Sequence, residues 1–207
     1  MSHSVTTLEE LERLFPVKPP ETALAKELDH VHALYARMIE ASPFAVLATL
    51  GPGGLDASPR GDPAGFVVVH DERTLLLPER RGNNRIDSLR NIVHDPRVAL
   101  LFLIPGVGET LRVNGRAEIR TEPALLERFA MQGQPPRCVL RIAVQAVYFQ
   151  CARAIQRSAL WQPPAADVRE RVPTPGLILA TLSGGRIDGE RYDRELPARQ
   201  RATLYRD

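Results

Sequence analysis

A short basic turn, Arg80-Arg81-Gly82-Asn83-Asn84-Arg85, stands between an apolar run, Leu75-Leu76-Leu77-Pro78, and a helical pattern that stops at Asp95-Pro96. Its residue types suit anion binding. Arginine presents a planar fork of donors that matches phosphate. A helix start beside it offers free backbone N–H groups and the positive end of the helix dipole. Asn83 or Asn84 is placed to cap that helix. Ile86, Leu89, Ile92 and Val93 then fall on one face. The other reading is a solvated basic turn. Of the 27 basic residues only Lys18 and Lys26 are lysine, so an anion clamp beyond the N-terminal segment must be built from arginine.

Three further groups could take part. Ser58-Pro59-Arg60-Gly61-Asp62 combines small residues, which allow close backbone approach, with one guanidinium. The alternative is a β-turn with a surface arginine. In Glu109–Gly115, strand alternation puts Thr110, Arg112 and Asn114 on one face and Leu111 and Val113 on the other. The alternative is a solvated strand face. Gln150–Trp161 reads as a helix carrying Arg153, Arg157 and Ser158 and ends in Trp161, the only tryptophan. A packing role is the commoner use of a Trp. The five histidines, at positions 3, 30, 32, 70 and 94, are scattered, and no triad or metal-ligand spacing emerges. Cys138 and Cys151 lie at opposite ends of one expected strand and cannot bridge to each other. They read as buried or half-buried thiols of a cytoplasmic protein.

These groups need a scaffold of strands. Phe44–Leu50, Leu55–Arg60, Phe66–Val69, Thr74–Leu77, Arg97–Ile104, Glu109–Arg120 and Arg137–Phe149 have strand character and are separated by Gly/Pro/Asp turns. Their spacing predicts an antiparallel sheet or barrel. Helices are expected at Thr7–Phe15, with a Thr7/Glu10 capping box, at Thr22–Ala41, at Pro123–Met131 and at Cys151–Leu160. Residues 163–175 read as a linker or arm, Gly176–Leu182 as a brief apolar element, and the charged tail has Tyr192, Leu196, Leu204 and Tyr205 as anchors.

With 207 residues, 43% hydrophobic and 25% charged, the chain can build a real core. A net charge of +2 is too small to imply a nucleic-acid partner. The acidic N-terminus lacks a signal-peptide pattern, and no apolar run has membrane-spanning length.

The order of strand, basic turn, short helix, Asp-Pro-Arg-Val, apolar strand, turn, and a strand ending Gly-Arg-Ala-Glu resembles the FMN-binding split-barrel family typified by pyridoxamine 5′-phosphate oxidase. The run LLLPERRGNNRIDSLRNI looks like a bacterial branch of oxidase-like FMN-binding proteins. The resemblance covers roughly residues 43–161, with a weaker match in the tail. It implies a mainly β fold with flanking helices, a split β-barrel binding FMN at a homodimer interface. It implies a helical segment over 1–42, the flavin-binding domain over 43–161, and a C-terminal arm over 162–207 packed on the barrel. By match to the family's motifs, Arg60 with Ser58, and Arg85 with Asn84, are expected at the FMN phosphate. Leu77 and Pro78 are expected at the flavin ring, and Thr110 and Arg112 near it from the second subunit. RSALW brings Arg157, Ser158 and Trp161 to the same site. The oxidase has hydroxyl-bearing residues where this chain has Leu77-Pro78, and the related branch has His where Gln150 stands. The implied activity is a flavin-dependent oxidoreductase acting on a small molecule, with NADH or NADPH as candidate reductant. The alternatives are a flavin carrier or sensor without turnover, and a deazaflavin- or haem-binding relative.

Overall fold

The computed structural model describes residues 3–205. It contains the seven strands β1 (Phe44–Gly51), β2 (Gly54–Gly61), β3 (Val68–Asp71), β4 (Thr74–Pro78), β5 (Arg97–Leu103), β6 (Thr110–Arg120) and β7 (Val139–Gln150). They form one sheet in the order β2-β1-β5-β6-β7-β4-β3, with every pair antiparallel. The edge strands β2 and β3 do not pair with each other, so the barrel is split. Two ion pairs span the gap. Arg60 Nη2 lies 3.3 Å from Glu79 Oε2, and Arg80 Nε lies 2.6 Å from Asp62 Oδ2. They tie the end of β2 to the loop after β4.

Alternation explains which residues fill the barrel. On β1, Ala45, Leu47 and Thr49 are buried while their neighbours are half-exposed. Leu75, Leu77, Leu100, Phe102, Leu111, Val113, Leu140 and Ile142 complete the interior. On β6, Leu111 and Val113 point inward, and Thr110, Arg112 and Asn114 occupy the other face, as alternation requires. One irregularity interrupts this. Register shifts between Asn114 and Gly115 against β7, and a Cβ on Gly115 would sit 2.4 Å from the Ala143 carbonyl oxygen. Only glycine lets the two backbones approach so closely.

Helices close the ends and flanks. α1 (Leu8–Leu14) carries the expected capping box: Thr7 Oγ accepts from Glu10 N–H at 3.2 Å, and Glu10 accepts from Thr7 N–H at 3.2 Å. The helix expected over Thr22–Ala41 is two helices, α2 (Glu21–Leu24) and α3 (Ala33–Ala41). Between them Leu28 exchanges both backbone hydrogen bonds with Val147, and Val31 N–H donates to Glu72. A place on the sheet outweighs the local helical pattern. Ile39 of α3 is fully buried against the barrel. α4 (Asp87–His94) follows the basic turn and ends at Asp95, as expected. Its apolar face is narrower than the spacing predicts. Ile92 is buried and Leu89 half-buried, but Ile86 and Val93 are exposed.

α5 (Pro123–Arg128) and α6 (Arg153–Ser158) are shorter than expected. Residues 163–175 include one helical turn, α7 (Val168–Arg171). The apolar element is helix α8 (Pro175–Leu182), which packs on α9 (Gly189–Ala202) at Gly176 and Gly189. Of the two thiols, Cys138 is buried; Cys151 is exposed because it follows the last residue of β7 at the surface.

Ser42 shows how the α3–β1 corner is held. It is fully buried, and its hydroxyl lies 2.7 Å from the Phe44 carbonyl and 2.8 Å from the Leu103 carbonyl. Ser42→Ala should lower stability by about 1–2 kcal/mol, because buried carbonyls lose their donor. An unchanged urea midpoint would mean that water reaches these carbonyls instead.

Candidate functional site

The split in the barrel is a cavity of about 840 Å³. Alternation along β2 turns Asp56, Ser58 and Arg60 toward it, since these are half-buried and their neighbours exposed. The opposite wall is the segment from Pro78 to Leu89, running off β4 through the basic turn into α4. Gln134–Cys138, leading into β7, and Tyr205 from the tail complete the lining. Five arginines (Arg60, Arg80, Arg81, Arg85, Arg137) stand against three carboxylates (Asp56, Glu79, Asp87). The surplus is positive, and the volume is that of a small-molecule pocket.

Each arginine is positioned differently. Arg60 is the most enclosed, with its side chain 12% exposed. Its Nη1 donates to Ser58 Oγ at 2.6 Å and to the Pro59 carbonyl at 2.9 Å. Its Nε is buried without a protein partner. The Arg60–Glu79 contact is an ion pair without good hydrogen-bond alignment, for Glu79 Oε2 also lacks a hydrogen-bond partner. Arg80 is committed to the scaffold through Asp62 and the Phe129 carbonyl. Arg85 is exposed and paired to Asp87 at 2.7 Å.

The start of α4 opens into this cavity, with Ile86, Asp87 and Ser88 in its lining. Neither asparagine caps the helix. The cap position is Ile86, which has no capping side chain, and Asn83 Oδ1 instead accepts from Arg85 N–H at 3.1 Å. Asn84 and Ile86 have φ of 60° and 54°. The left-handed region is tolerable for Asn and strained for a β-branched residue. The uncapped N–H groups remain available to an anion.

The tail closes one end. The Tyr205 hydroxyl donates to Asp62 Oδ1 at 2.6 Å, and its ring lies 5.7 Å from the Arg80 guanidinium. Asp62, 2% exposed at its side chain, thus serves two donors. Burial pushes Glu79 above the ordinary glutamate range, against the opposing pull of Arg60. Burial, together with the charge of Glu79, raises the Cys138 thiol to about 11, so it is neutral and unreactive at physiological pH.

Of the residues expected at the site, Ser58, Arg60, Pro78, Asn84 and Arg85 line this cavity. Leu77 does not: its side chain is fully buried in the barrel core, because strand alternation turns it inward next to Pro78. Thr110, Arg112, Arg157, Ser158 and Trp161 lie outside the cavity lining of the same chain. Thr110 bonds to Gln150 at 3.2 Å, and the Arg112 guanidinium stacks 4.3 Å from the Tyr148 ring with Nε buried and unpartnered. Ser158 bonds to the Ile155 carbonyl, and Trp161 Nε1 donates to the Val107 carbonyl at 2.7 Å.

Glu79 is not singled out in the sequence, and Asp62 and Tyr205 figure there only as the end of the Ser58–Asp62 group and as a tail anchor, not as site residues. The available signals were an acid placed directly before two arginines, an aspartate after the Arg-Gly turn, and an aromatic in a charged tail. Among the described residues, no cluster of His, Cys, Asp and Glu could hold a metal ion, and no helix is long and apolar enough to cross a membrane.

A family model described as pyridoxamine 5′-phosphate oxidase matches residues 31–151. No protein of curated function matches the sequence. Among solved structures, HupZ of Group A Streptococcus is 22% identical, with 58% of this chain and 94% of that chain covered and a TM-score of 0.47. A Lactobacillus delbrueckii protein described as a candidate pyridoxamine 5′-phosphate oxidase is 19% identical, with 59% and 98% covered and a TM-score of 0.46. An FMN-binding protein from Syntrophomonas wolfei is 9% identical, with 69% and 95% covered and a TM-score of 0.42.

Proposed function

The chain belongs to the pyridoxamine 5′-phosphate oxidase family, and from that premise we propose that it binds FMN in the split of the barrel and acts as an oxidoreductase on a small molecule. In this reading residues 43–161 form the flavin-binding domain, with 1–42 and 162–207 as additions. The carrying observation is the cavity itself: Arg60, Arg85 and the uncapped start of α4 converge on one pocket of about 840 Å³. Arg60 and Arg85 hold the phosphate. Ser58 and the Pro59 carbonyl fix the Arg60 fork before the ligand arrives, which lowers the ordering cost of binding. A bound flavin supplies the hydride chemistry, so the protein needs no catalytic triad.

Thr110, Arg112, Arg157, Ser158 and Trp161 contribute in this reading from a second copy of the chain, which makes the site a property of a homodimer. Trp161, the only tryptophan, gives the check. Its fluorescence should be quenched as FMN saturates the protein, and light scattering should report a dimer. Unchanged emission at saturation, or full occupancy in a monomer, would remove the second copy from the site.

The function test starts with the purified protein. A yellow chromophore identified as FMN by mass spectrometry is the expected result. Its reduction by NADH or NADPH and reoxidation by an electron acceptor would establish an enzyme. FMN bound without reduction would make the protein a carrier or sensor, and a deazaflavin or haem in its place would overturn the FMN assignment.

A further inference from the structure

Arg60 is the only guanidinium that Glu79 contacts among the ion pairs of the described residues, and its terminal nitrogens are already engaged: Nη1 with Ser58 and the Pro59 carbonyl, Nη2 with Glu79. The Glu79 carboxylate lines the same cavity. A phosphate that reaches Arg60 therefore arrives beside a second, resident anion. Two anions cannot share one partly buried cation without a large repulsion. Two of the other guanidiniums in the lining are already committed. Arg80 is held by Asp62 and Phe129, and Arg85 by Asp87.

We propose that an anionic ligand bound at Arg60 is taken up together with one proton, which Glu79 accepts as its partner is drawn to the ligand. This rests on the FMN-site reading for the natural ligand, but the coupling belongs to the Arg60–Glu79 pair and extends to any dianion that enters.

The surroundings permit it. Cys138, on the β7 side, is a neutral thiol over the physiological range, held near 11. The Tyr205 hydroxyl is engaged with Asp62, which raises its proton affinity, and stays neutral as well. Asp62 is neutralised by Arg80, and Asp87 by Arg85. Asp56, at the far end of β2, accepts from Ser88 Oγ at 3.1 Å. Arg81 and Arg137 line the same cavity. That leaves Glu79 as the group whose charge the ligand most perturbs.

The sign follows. In the free protein Glu79 already holds its proton above the ordinary glutamate range. A dianion at Arg60 makes it hold the proton more tightly still. Between those two midpoints, ligand affinity falls as pH rises, by up to about tenfold per pH unit. Below the lower midpoint the proton is already present and no uptake occurs.

The experiment is calorimetric titration of the full chain with FMN, from about pH 5 to 8, in buffers of low and high protonation enthalpy. On FMN binding, wild type should take up as much as one more proton per site than Glu79→Gln, because the phosphate's own second ionisation, at about pH 6, contributes equally to both. Glu79→Gln should also flatten the fall in FMN affinity at the upper end of the range. Sulfate is the second probe, because it does not titrate in this window, so any uptake on its binding belongs to the protein. Proton uptake with sulfate but no FMN binding would overturn the flavin reading and uphold this one. Equal uptake in wild type and Glu79→Gln with both ligands, or none in wild type with sulfate, would overturn the coupling. If Glu79→Gln does not fold, the wild-type sulfate titration decides alone.

Discussion

Arg60→Ala is expected to weaken FMN binding by about ten- to a hundredfold while leaving riboflavin nearly untouched. The first number is the worth of one or two charge-assisted hydrogen bonds, about 1.5–3 kcal/mol, converted to affinity. The second follows because riboflavin has the ring without the phosphate. Arg60 earns the larger share because its fork is enclosed and already oriented by Ser58. Arg85 differs. Its side chain is 73% exposed and paired with Asp87, so solvent screens it and the neighbouring carboxylate competes for it. Arg85→Ala should cost only about two- to fivefold. Arg60→Lys, which keeps the charge and loses the fork, should fall between wild type and alanine. Fluorescence titration of both flavins measures all of this. Equal losses for FMN and riboflavin would assign Arg60 to the ring or the fold. No loss for either would leave Arg60 without a part in flavin binding.

The second large effect is expected far from the cavity. Gly115→Ala should destabilise the fold by about 3 kcal/mol or more, the upper range for overpacking, because the obstacle is backbone. The new Cβ would meet the Ala143 carbonyl oxygen at 2.4 Å and Ile142 Cγ2 at 3.0 Å. The carbonyl cannot swing away without opening the β6–β7 pairing, the longest in the sheet. For a chain of this size the melting temperature should fall by about 6–12 °C. A shift of under about 2 °C would mean that the irregularity at Asn114/Gly115 relaxes to admit a methyl group.

The strands were legible in the sequence because each carries its own signal: a β-branched or alternating run closed by Gly, Pro or Asp. The capping box at Thr7 and the stop at Asp95-Pro96 were legible for the same reason, since both are settled within a few residues. Arg60 could be found because a guanidinium among small residues at a turn is a local signal, matched by the family resemblance. What the sequence concealed is what the rest of the chain decides. Leu24, Leu28 and Val31 look like one helix until Leu28 pairs with Val147. Asn83 looks like a cap until its side chain turns to Arg85 N–H. Glu79 acquires meaning only from Arg60, and Tyr205 only from Asp62. No spacing rule links those pairs, because only the curled sheet and the returning tail bring them together.

The strand order carries a consequence for how fast the molecule can be made. β1–β2, β3–β4 and β5–β6 are hairpins between chain neighbours, and such pairs can zip early. The joins β1–β5 and β4–β7 are different. They set Ala48 against Ala99 and Leu76 against Arg141, and each must close a long loop before any contact rewards it. Those joins should limit the folding rate. The two walls of the cavity come from β2 and from the segment after β4, on opposite sides of both joins. No half-assembled chain therefore presents the pocket. A ligand of this site cannot act as a template for folding, and its effect should appear almost entirely as slower unfolding.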